Sequence, residues 1–123
     1  MSLPTRHVLA GFPPPVSPSS HAVEADGWVH LTGQLGRDLD DPAAQTARAL
    51  ANLARTLAAL GLGLEHVVSC RVYLTRFEAD YAAMNAAYAR AFPEGARPAR
   101  TCVGVTALAL GAVVEIEAVA RRP

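Results

Sequence analysis

The C-terminal segment Val113–Ala120 alternates apolar side chains with two glutamates. Because side chains of a β-strand point alternately to opposite faces, Glu115 and Glu117 share one face of a sheet while the apolar residues take the other. The segment Arg97–Val105 is also typical of an apolar strand, and it contains Arg100. Burial of an unpaired charge is unfavourable, so charges in such strands are paired, solvated at an edge or functional. The two segments therefore predict a sheet with a candidate site for a small anion.

Turn and capping signals divide the rest of the chain into further strands and two helices. Asp26-Gly27 is a tight-turn signal between two strands, and Asp41-Pro42 is a typical helix start. The predicted order β-β-β-α-β-α-β-β corresponds to residues 5–9, 21–24, 28–32, 42–60, 67–74, 79–92, 97–105 and 113–120. This order predicts one α+β domain over residues 1–123, with a mixed β-sheet and two helices packed on one face.

Both helices show an apolar face, and the sheet has more apolar residues than the two helices can cover. The second helix places one set of large residues on one face: Tyr81, Met84, Tyr88 and Phe92. The strands Val67–Leu74 and Val113–Ala120 carry small hydrophobic residues on both sides, yet two helices can cover only one face. We therefore expect a homo-oligomer whose sheets pack together, with sites at subunit boundaries.

Composition excludes several classes of function. The chain has eleven basic and eleven acidic residues, so it lacks the basic excess that neutralises nucleic-acid phosphates. It has no lysine, which excludes any mechanism that needs a lysine Schiff base, including covalent binding of pyridoxal phosphate. The histidines lack metal-ligand spacing, and we predict no metal and no cofactor. No membrane span or signal pattern is visible, so we expect a cytoplasmic protein in which Cys70 and Cys102 are reduced thiols.

Four short motifs resemble those of one known family. The motifs occur in the family's order between about Ser17 and Ala120, and they are Leu31–Gln34, Asn85–Tyr88, Pro98–Val103 and Val114–Ala118. By these motifs the chain is identified as a member of the RidA family (YjgF/YER057c/UK114) of reactive-intermediate imine deaminases. The resemblance implies a chorismate-mutase-like α+β fold and a homotrimer with active sites between subunits. It also implies hydrolysis of 2-imino acids and their enamine tautomers, such as 2-aminoacrylate, to 2-keto acids and ammonia.

The resemblance assigns roles to two charged residues. Arg100 matches the arginine that binds the substrate carboxylate, and a planar guanidinium suits this role because it binds a carboxylate through two parallel hydrogen bonds. Glu115 matches the glutamate that positions or activates water. A carboxylate in that place can accept the water proton and return it to the departing ammonia.

Five further residues match substrate-binding positions of the family. Gly33 and Asn85 match pocket positions, and the backbone N–H of Cys102 matches a carboxylate-binding donor. Thr32 stands where the family often has serine, so a hydroxyl is retained. Ser19 stands where a tyrosine commonly lines the pocket, so the resemblance leaves the substrate range open.

Several of these residues also have a structural interpretation. Arg100 is consistent with an intersubunit salt bridge. Glu115 and Glu117 are consistent with a solvated strand face, and Glu117 also with a structural partner for an arginine. The Cys102 side chain is consistent with a small buried hydrophobe. Asn85 suits packing or capping as well as ligand contact, and Thr32 is a good strand former.

Two other functions fit the same sequence. The arginine cleft suits a non-catalytic module that binds 2-keto acids or related small carboxylates, and Ser19 in place of an aromatic residue keeps this alternative open. An endoribonuclease or translation inhibitor, a label that the family has carried, fits less well because the net charge is zero and lysine is absent.

Overall fold

The computed structural model describes residues 2–123, which form six strands and two long helices. In chain order the elements are β1 (Thr5–His7), β2 (Ala22–Ala25), β3 (Trp28–Leu35), α1 (Pro42–Ala59), β4 (Val67–Leu74), α2 (Phe77–Ala91), β5 (Ala99–Gly104) and β6 (Val114–Arg121). This order confirms the predicted α+β class. The bounds differ slightly from the prediction, since β1 ends two residues earlier, β3 extends three residues further, and α2 begins two residues earlier.

The strands form one mixed sheet in the order β1-β2-β3-β6-β4-β5. All neighbouring pairs are antiparallel except β4 and β5, which are parallel. Parallel neighbours require a crossover, and α2 supplies it between these two strands. The strand that carries Arg100 is therefore an edge strand, whereas the strand that carries Glu115 lies inside the sheet.

Local signals produce the turns and helix ends that the sequence predicts. Asp26 and Gly27 both have positive φ, 52° and 82°, which is the requirement of the tight hairpin turn between β2 and β3. The side chain of Asp41 caps α1 by accepting a hydrogen bond from the N–H of Ala43. Gly61, at φ 78°, ends the same helix.

The core lies between the helices and one face of the sheet. Val114, Ile116 and Ala118 are buried, and the intervening glutamates lie on the opposite face, as predicted. In α2 the predicted apolar face is only partly correct. Met84, Tyr88 and Phe92 are buried, whereas Tyr81 is 37% exposed and stacks on Phe77 with ring centroids 4.8 Å apart.

Gln45 connects α1 to the start of β6. Its side chain is buried, and Oε1 accepts hydrogen bonds from the N–H groups of Val113 at 2.9 Å and Val114 at 3.2 Å. Its Nε2 donates to the carbonyl of Leu39 at 2.7 Å. One side chain thus satisfies three backbone groups and holds β6 against the helix.

The second face of the sheet is more polar than the sequence predicted. The register of β4 against β6 shifts between Val67 and Ser69. Because of this shift, Val67 and Cys70 both point to the face that the helices cover. The strand β4 therefore contributes few apolar residues to the other face. That face carries exposed His30 and Arg71 beside exposed apolar side chains such as Val103. The homotrimer, and the packing of sheets within it, stay a prediction from the resemblance.

The structure bears on the state of the cysteines, on membrane-spanning helices and on metal sites. Cys70 is buried and Cys102 half-buried, and both are free thiols. Within residues 2–123, no helix is long and apolar enough to cross a membrane. The same residues contain no group of three or more His, Cys, Asp or Glu side chains placed to hold a metal ion.

Candidate functional site

A cleft of about 410 Å³ opens between β3, α1 and the loop of residues 8–20, which we call the proline loop. Four of the predicted site residues line it: Ser19, Thr32, Gly33 and Glu115. Ser19 is exposed on the proline loop, and its hydroxyl lies 3.2 Å from that of Ser17. The structure therefore brings together the serine, the threonine, the glycine and the glutamate of the predicted site.

His21 holds the proline loop in place, a role that the sequence did not predict. Its Nδ1 accepts a hydrogen bond from the N–H of Leu9 at 2.8 Å, so Nε2 carries the proton and donates to the carbonyl of Pro13 at 2.9 Å. The ring also packs against Phe12, with centroids 5.7 Å apart. A buried histidine directly after a proline-rich segment poor in backbone N–H groups was the signal that could have revealed this role.

The floor of the cleft is shaped by an irregularity in β3. The register of β3 against β6 shifts between Leu31 and Gln34, and Gly33 lies at this shift. A Cβ atom on Gly33 would lie 2.9 Å from Oε2 of Glu115, so only glycine leaves room for the carboxyl group there. The hydroxyl of Thr32 donates to the carbonyl of Ser20 and joins β3 to the proline loop.

Glu115 is half-buried in the cleft, and its surroundings favour the protonated form. Burial raises the pKa of the Glu115 carboxyl, and the nearby charge of Glu117 raises it further. Glu117 accepts a hydrogen bond from the hydroxyl of Tyr73, which raises the pKa of that tyrosine. The partner of Glu117 is thus a tyrosine rather than the arginine that the sequence suggested. A raised pKa makes the carboxylate a stronger proton acceptor than an ordinary glutamate, which suits it to acid–base catalysis.

Arg100 lies on an aromatic surface of α2. Its position is in register with Cys70, so its side chain leaves the sheet on the helix-covered side. The guanidinium lies over the ring of Tyr88, with Cζ 4.9 Å from the centroid, and 6.0 Å from that of Tyr81. Within residues 2–123 it has no carboxylate partner at salt-bridge distance. Aromatic contacts and long hydrogen bonds to Sδ of Met84 and the hydroxyl of Tyr81 therefore hold the cation in position.

One chain does not bring Arg100 and Glu115 together. Glu115 is in register with Tyr73, whereas Arg100 is in register with Cys70 on the far side of β4. Their side chains also leave the sheet on opposite faces. Cys102 lies on the same face as Arg100 and packs against the core, where burial raises the pKa of its thiol. A site that contains both charges requires two copies of the chain.

Asn85 lies on α2, outside the cleft. Its Oδ1 atom is buried, and no donor among the described residues reaches it. Buried carbonyl oxygens almost always accept a hydrogen bond, so a donor from a ligand or a second copy would complete this group. Like Arg100, Asn85 lies outside the cleft in a single chain, and its place in the site stays a prediction.

The fold and the site define a class: small α+β domains with two helices on one mixed sheet and a carboxyl group in a polar cleft. Residues 11–122 match the family model described as Endoribonuclease L-PSP. The chain belongs to this family, which includes the RidA, YjgF and UK114 proteins that the sequence motifs resemble.

Named relatives and a solved structure agree with this membership. The chain is 41% identical to Protein DfrA of Myxococcus xanthus over 88% of each chain. It is 39% identical to the 3-aminoacrylate deaminase RutC of Acinetobacter baylyi, over 89% of this chain and 91% of that protein. It superposes with a TM-score of 0.82 and 32% identity on Rv2704 of Mycobacterium tuberculosis, a YjgF/YER057c/UK114 protein, covering 98% of this chain and 100% of that one.

Proposed function

We propose that the protein hydrolyses reactive 2-imino acids and their enamine tautomers, of the 2-aminoacrylate class, to 2-keto acids and ammonia. The observation that carries the proposal is the half-buried carboxyl of Glu115 in the proline-loop cleft, whose pKa is raised by burial. A deaminase among the relatives, the RutC protein named for 3-aminoacrylate, supports the same reaction type.

The proposed reaction adds one water to the carbon of the C=N bond. An enamine first takes a proton on its terminal carbon and becomes the iminium ion, which is the protonated imine that reacts with water. Glu115 accepts a proton from the water as the oxygen bonds to the imine carbon and the π electrons move to nitrogen. The carboxyl group then returns this proton to nitrogen, and the C–N bond breaks to release ammonia. The Glu115 carboxylate takes the proton of the carbinolamine hydroxyl as the C=O bond forms and passes it to solvent. The products are one 2-keto acid and one ammonia for each imine and water consumed.

Arg100 has the chemistry to bind the substrate carboxylate. Its guanidinium donates only long hydrogen bonds, to Sδ of Met84 at 3.8 Å and to the hydroxyl of Tyr81 at 3.5 Å. A carboxylate is a stronger acceptor for a guanidinium than either group and can replace them. The backbone N–H of Cys102 would assist on the same edge strand. Because Arg100 and Glu115 lie on opposite faces of one sheet, we propose that Arg100 of one copy meets Glu115 of another in a homotrimer.

The decisive experiment generates 2-iminopropionate in the presence of semicarbazide, which traps the imine. We expect the protein to lower the yield of trapped imine and Arg100→Ala to lower this effect about 100-fold, because a charge-assisted double hydrogen bond is lost. Arg90→Ala removes a charge from an exposed position on α2 and serves as the control. Unchanged trapping with several imino acids contradicts the enzymatic proposal.

Carboxylate binding without turnover is the second candidate function. It is favoured by Ser19, which puts a small hydroxyl at the wall of the cleft in place of an aromatic ring. Calorimetric binding of 2-ketobutyrate by a protein that leaves semicarbazide trapping unchanged would establish this candidate instead.

A further inference from the structure

Two arginines from different elements line the proline-loop cleft, and the proposed chemistry uses neither of them. Arg37 lies two residues after the end of β3, and Arg55 lies on α1. Both are exposed to solvent. They stand on two walls of the cleft whose floor carries Glu115.

Arg55 is held in position by the proline loop. Its Cζ atom lies 4.8 Å from the centroid of the Phe12 ring, and Phe12 itself packs on His21. A guanidinium stacked on a ring by its face keeps its N–H groups free in the plane of the stack. Among residues 2–123, no carboxylate pairs with Arg55 within 4.0 Å. Its hydrogen-bond donors are therefore available to a ligand.

The positive charge of Arg37 is only weakly neutralised by a neighbouring carboxylate. Its Nε lies 3.9 Å from Oδ2 of Asp38, a distance at the limit of an ion pair, and the aspartate side chain is 84% exposed. Exposed pairs of this kind contribute little and exchange readily with other partners. An anion in the cleft can therefore compete for this guanidinium.

The charge and the size of the cleft both exceed what a small imino acid requires. Among the described residues that line it, Glu115 is the one acidic side chain, opposite two guanidinium groups. A volume of about 410 Å³ holds a ligand considerably larger than a three-carbon acid, which leaves room beyond the reacting carbon.

We propose that Arg37 and Arg55 bind a second carboxylate at the far end of the substrate, so that the preferred substrates are 2-imino dicarboxylates. The inference rests on the proposed imine hydrolysis. In this arrangement Arg100 of a second copy binds the carboxylate beside the imine, Glu115 faces the imine carbon, and the side chain of the substrate extends between Phe12 and β3. Arg37 and Arg55 are specificity-determining residues and take no part in the proton transfers.

Two five-carbon imines test the inference directly. The imines made from glutamate and from norvaline by an amino-acid oxidase have the same chain length and differ in a terminal carboxylate or methyl group. We expect kcat/KM to be at least about tenfold higher for the dicarboxylate, and Arg55→Gln and Arg37→Gln each to lower that preference about fivefold. The preference should also shrink between about 20 and about 200 mM salt, because exposed charges are screened.

Arg48→Gln is the matched control, since it removes an exposed arginine from the same helix as Arg55 without touching the cleft. It should leave the preference unchanged. Equal kcat/KM for the two imines, or an equal effect of Arg48→Gln, overturns the inference while imine hydrolysis stands.

Failure of imine hydrolysis gives a separate result. If neither imine is hydrolysed, the proposed function is wrong, and calorimetry with 2-oxoglutarate and 2-oxopentanoate then tests the arginines alone. Tighter binding of 2-oxoglutarate that is lost in Arg55→Gln supports the second carboxylate site. Equal affinities overturn it.

Discussion

Gly33 and Glu115 occupy complementary space at the floor of the cleft: a Cβ atom on residue 33 would lie 2.9 Å from Oε2 of Glu115. The atom in the way is the end of a flexible side chain, so the carboxyl group can move at little cost in stability. We expect Gly33→Ala to lower kcat/KM for imine hydrolysis at least tenfold while the midpoint of thermal unfolding changes by only about 2 °C. Steady-state rates and calorimetry measure the two quantities.

Gly104→Ala is the matched control for this variant. A Cβ atom there would meet Phe77 at 3.4 Å, an ordinary contact, so activity should be retained. Full activity of Gly33→Ala would show that the position of the Glu115 carboxyl does not limit the reaction.

The raised pKa of Glu115 makes stability depend on pH in a defined direction. Below the ordinary glutamate range the carboxyl is protonated in both folded and unfolded states, and its ionisation has no effect. As the pH rises through the raised folded-state pKa, the unfolded chain loses this proton more readily, so the folded state loses stability. Relative to Glu115→Gln, wild type should therefore become less stable as the pH rises. Urea unfolding of both proteins across pH 4 to pH 8 measures the difference, and a flat difference would contradict the assignment.

Glu117 should set part of the pH profile of the reaction. Its charge is the second cause of the raised pKa of Glu115, after burial. In Glu117→Gln the Glu115 carboxyl should ionise at lower pH, and the acidic limb of log kcat/KM against pH should move in the same direction. A limb that does not move would mean that another group controls it. Tyr73→Phe, which removes the hydroxyl bonded to Glu117 but keeps its charge, is the comparison.

The inactive variants should complement each other if the site lies between copies. In a randomly mixed ring of Arg100→Ala and Glu115→Gln chains, each interface has one chance in four of combining an intact Arg100 with an intact Glu115. We therefore expect refolded equal mixtures to regain about a quarter of wild-type activity, from two chains that are each inactive alone. No recovery in mixed oligomers, verified by mass spectrometry, would place both residues in one chain's site.

Gln45 should be a major single contributor to stability. Gln45→Ala leaves two N–H groups and one carbonyl without a partner in a buried place, and it should lower the free energy of unfolding by about 3 kcal/mol. Gln45→Glu keeps the acceptor but loses the donor to Leu39, so its defect should be smaller at acid pH, where the carboxyl group can donate. Urea unfolding at one fixed protein concentration measures both, because oligomers gain stability with concentration. A loss below 1 kcal/mol would contradict this account.

The His21 side chain should stabilise the proline loop but have little effect on the stability of the sheet. In His21→Ala the N–H of Leu9 loses its acceptor and the carbonyl of Pro13 its donor, so protection of the Leu9 amide from hydrogen exchange should fall by at least tenfold. Amides in β6 should keep their protection. His30→Ala changes an exposed histidine of β3 and is the control. Unchanged exchange at Leu9 would show that other contacts hold the loop.

Sequence patterns predicted the fold well where one periodicity dominated. The alternation around Ile116 and the apolar face predicted for α1 each correspond to a single buried face, and both are confirmed. The face of β4 was harder to predict, because a bulge between Val67 and Ser69 changes which residues point inward. Such a bulge depends on pairing with a distant strand and has no local signature.

The candidate site was predictable in composition but not in arrangement. Alternation correctly placed Arg100 and Cys102 on one face of β5, yet on an edge strand it does not reveal which face that is. The separation of Arg100 from Glu115 follows from strand order, which only long-range pairing determines. The role of His21 depends on the path of the proline loop, and so does the contact of Arg55 with Phe12.

The residues by which the proline loop lines the cleft are different from the residues that form the hydrophobic core. Phe12, Ser17 and Ser19 line the cleft but lie outside the buried core cluster. Substitutions at these positions can therefore change the ligand without disturbing the packing of helices on the sheet. A lineage of such proteins can diversify its substrates by varying a short peripheral segment while Glu115 and the strands behind it stay the same. For laboratory evolution, residues 12–19 are the place to randomise first.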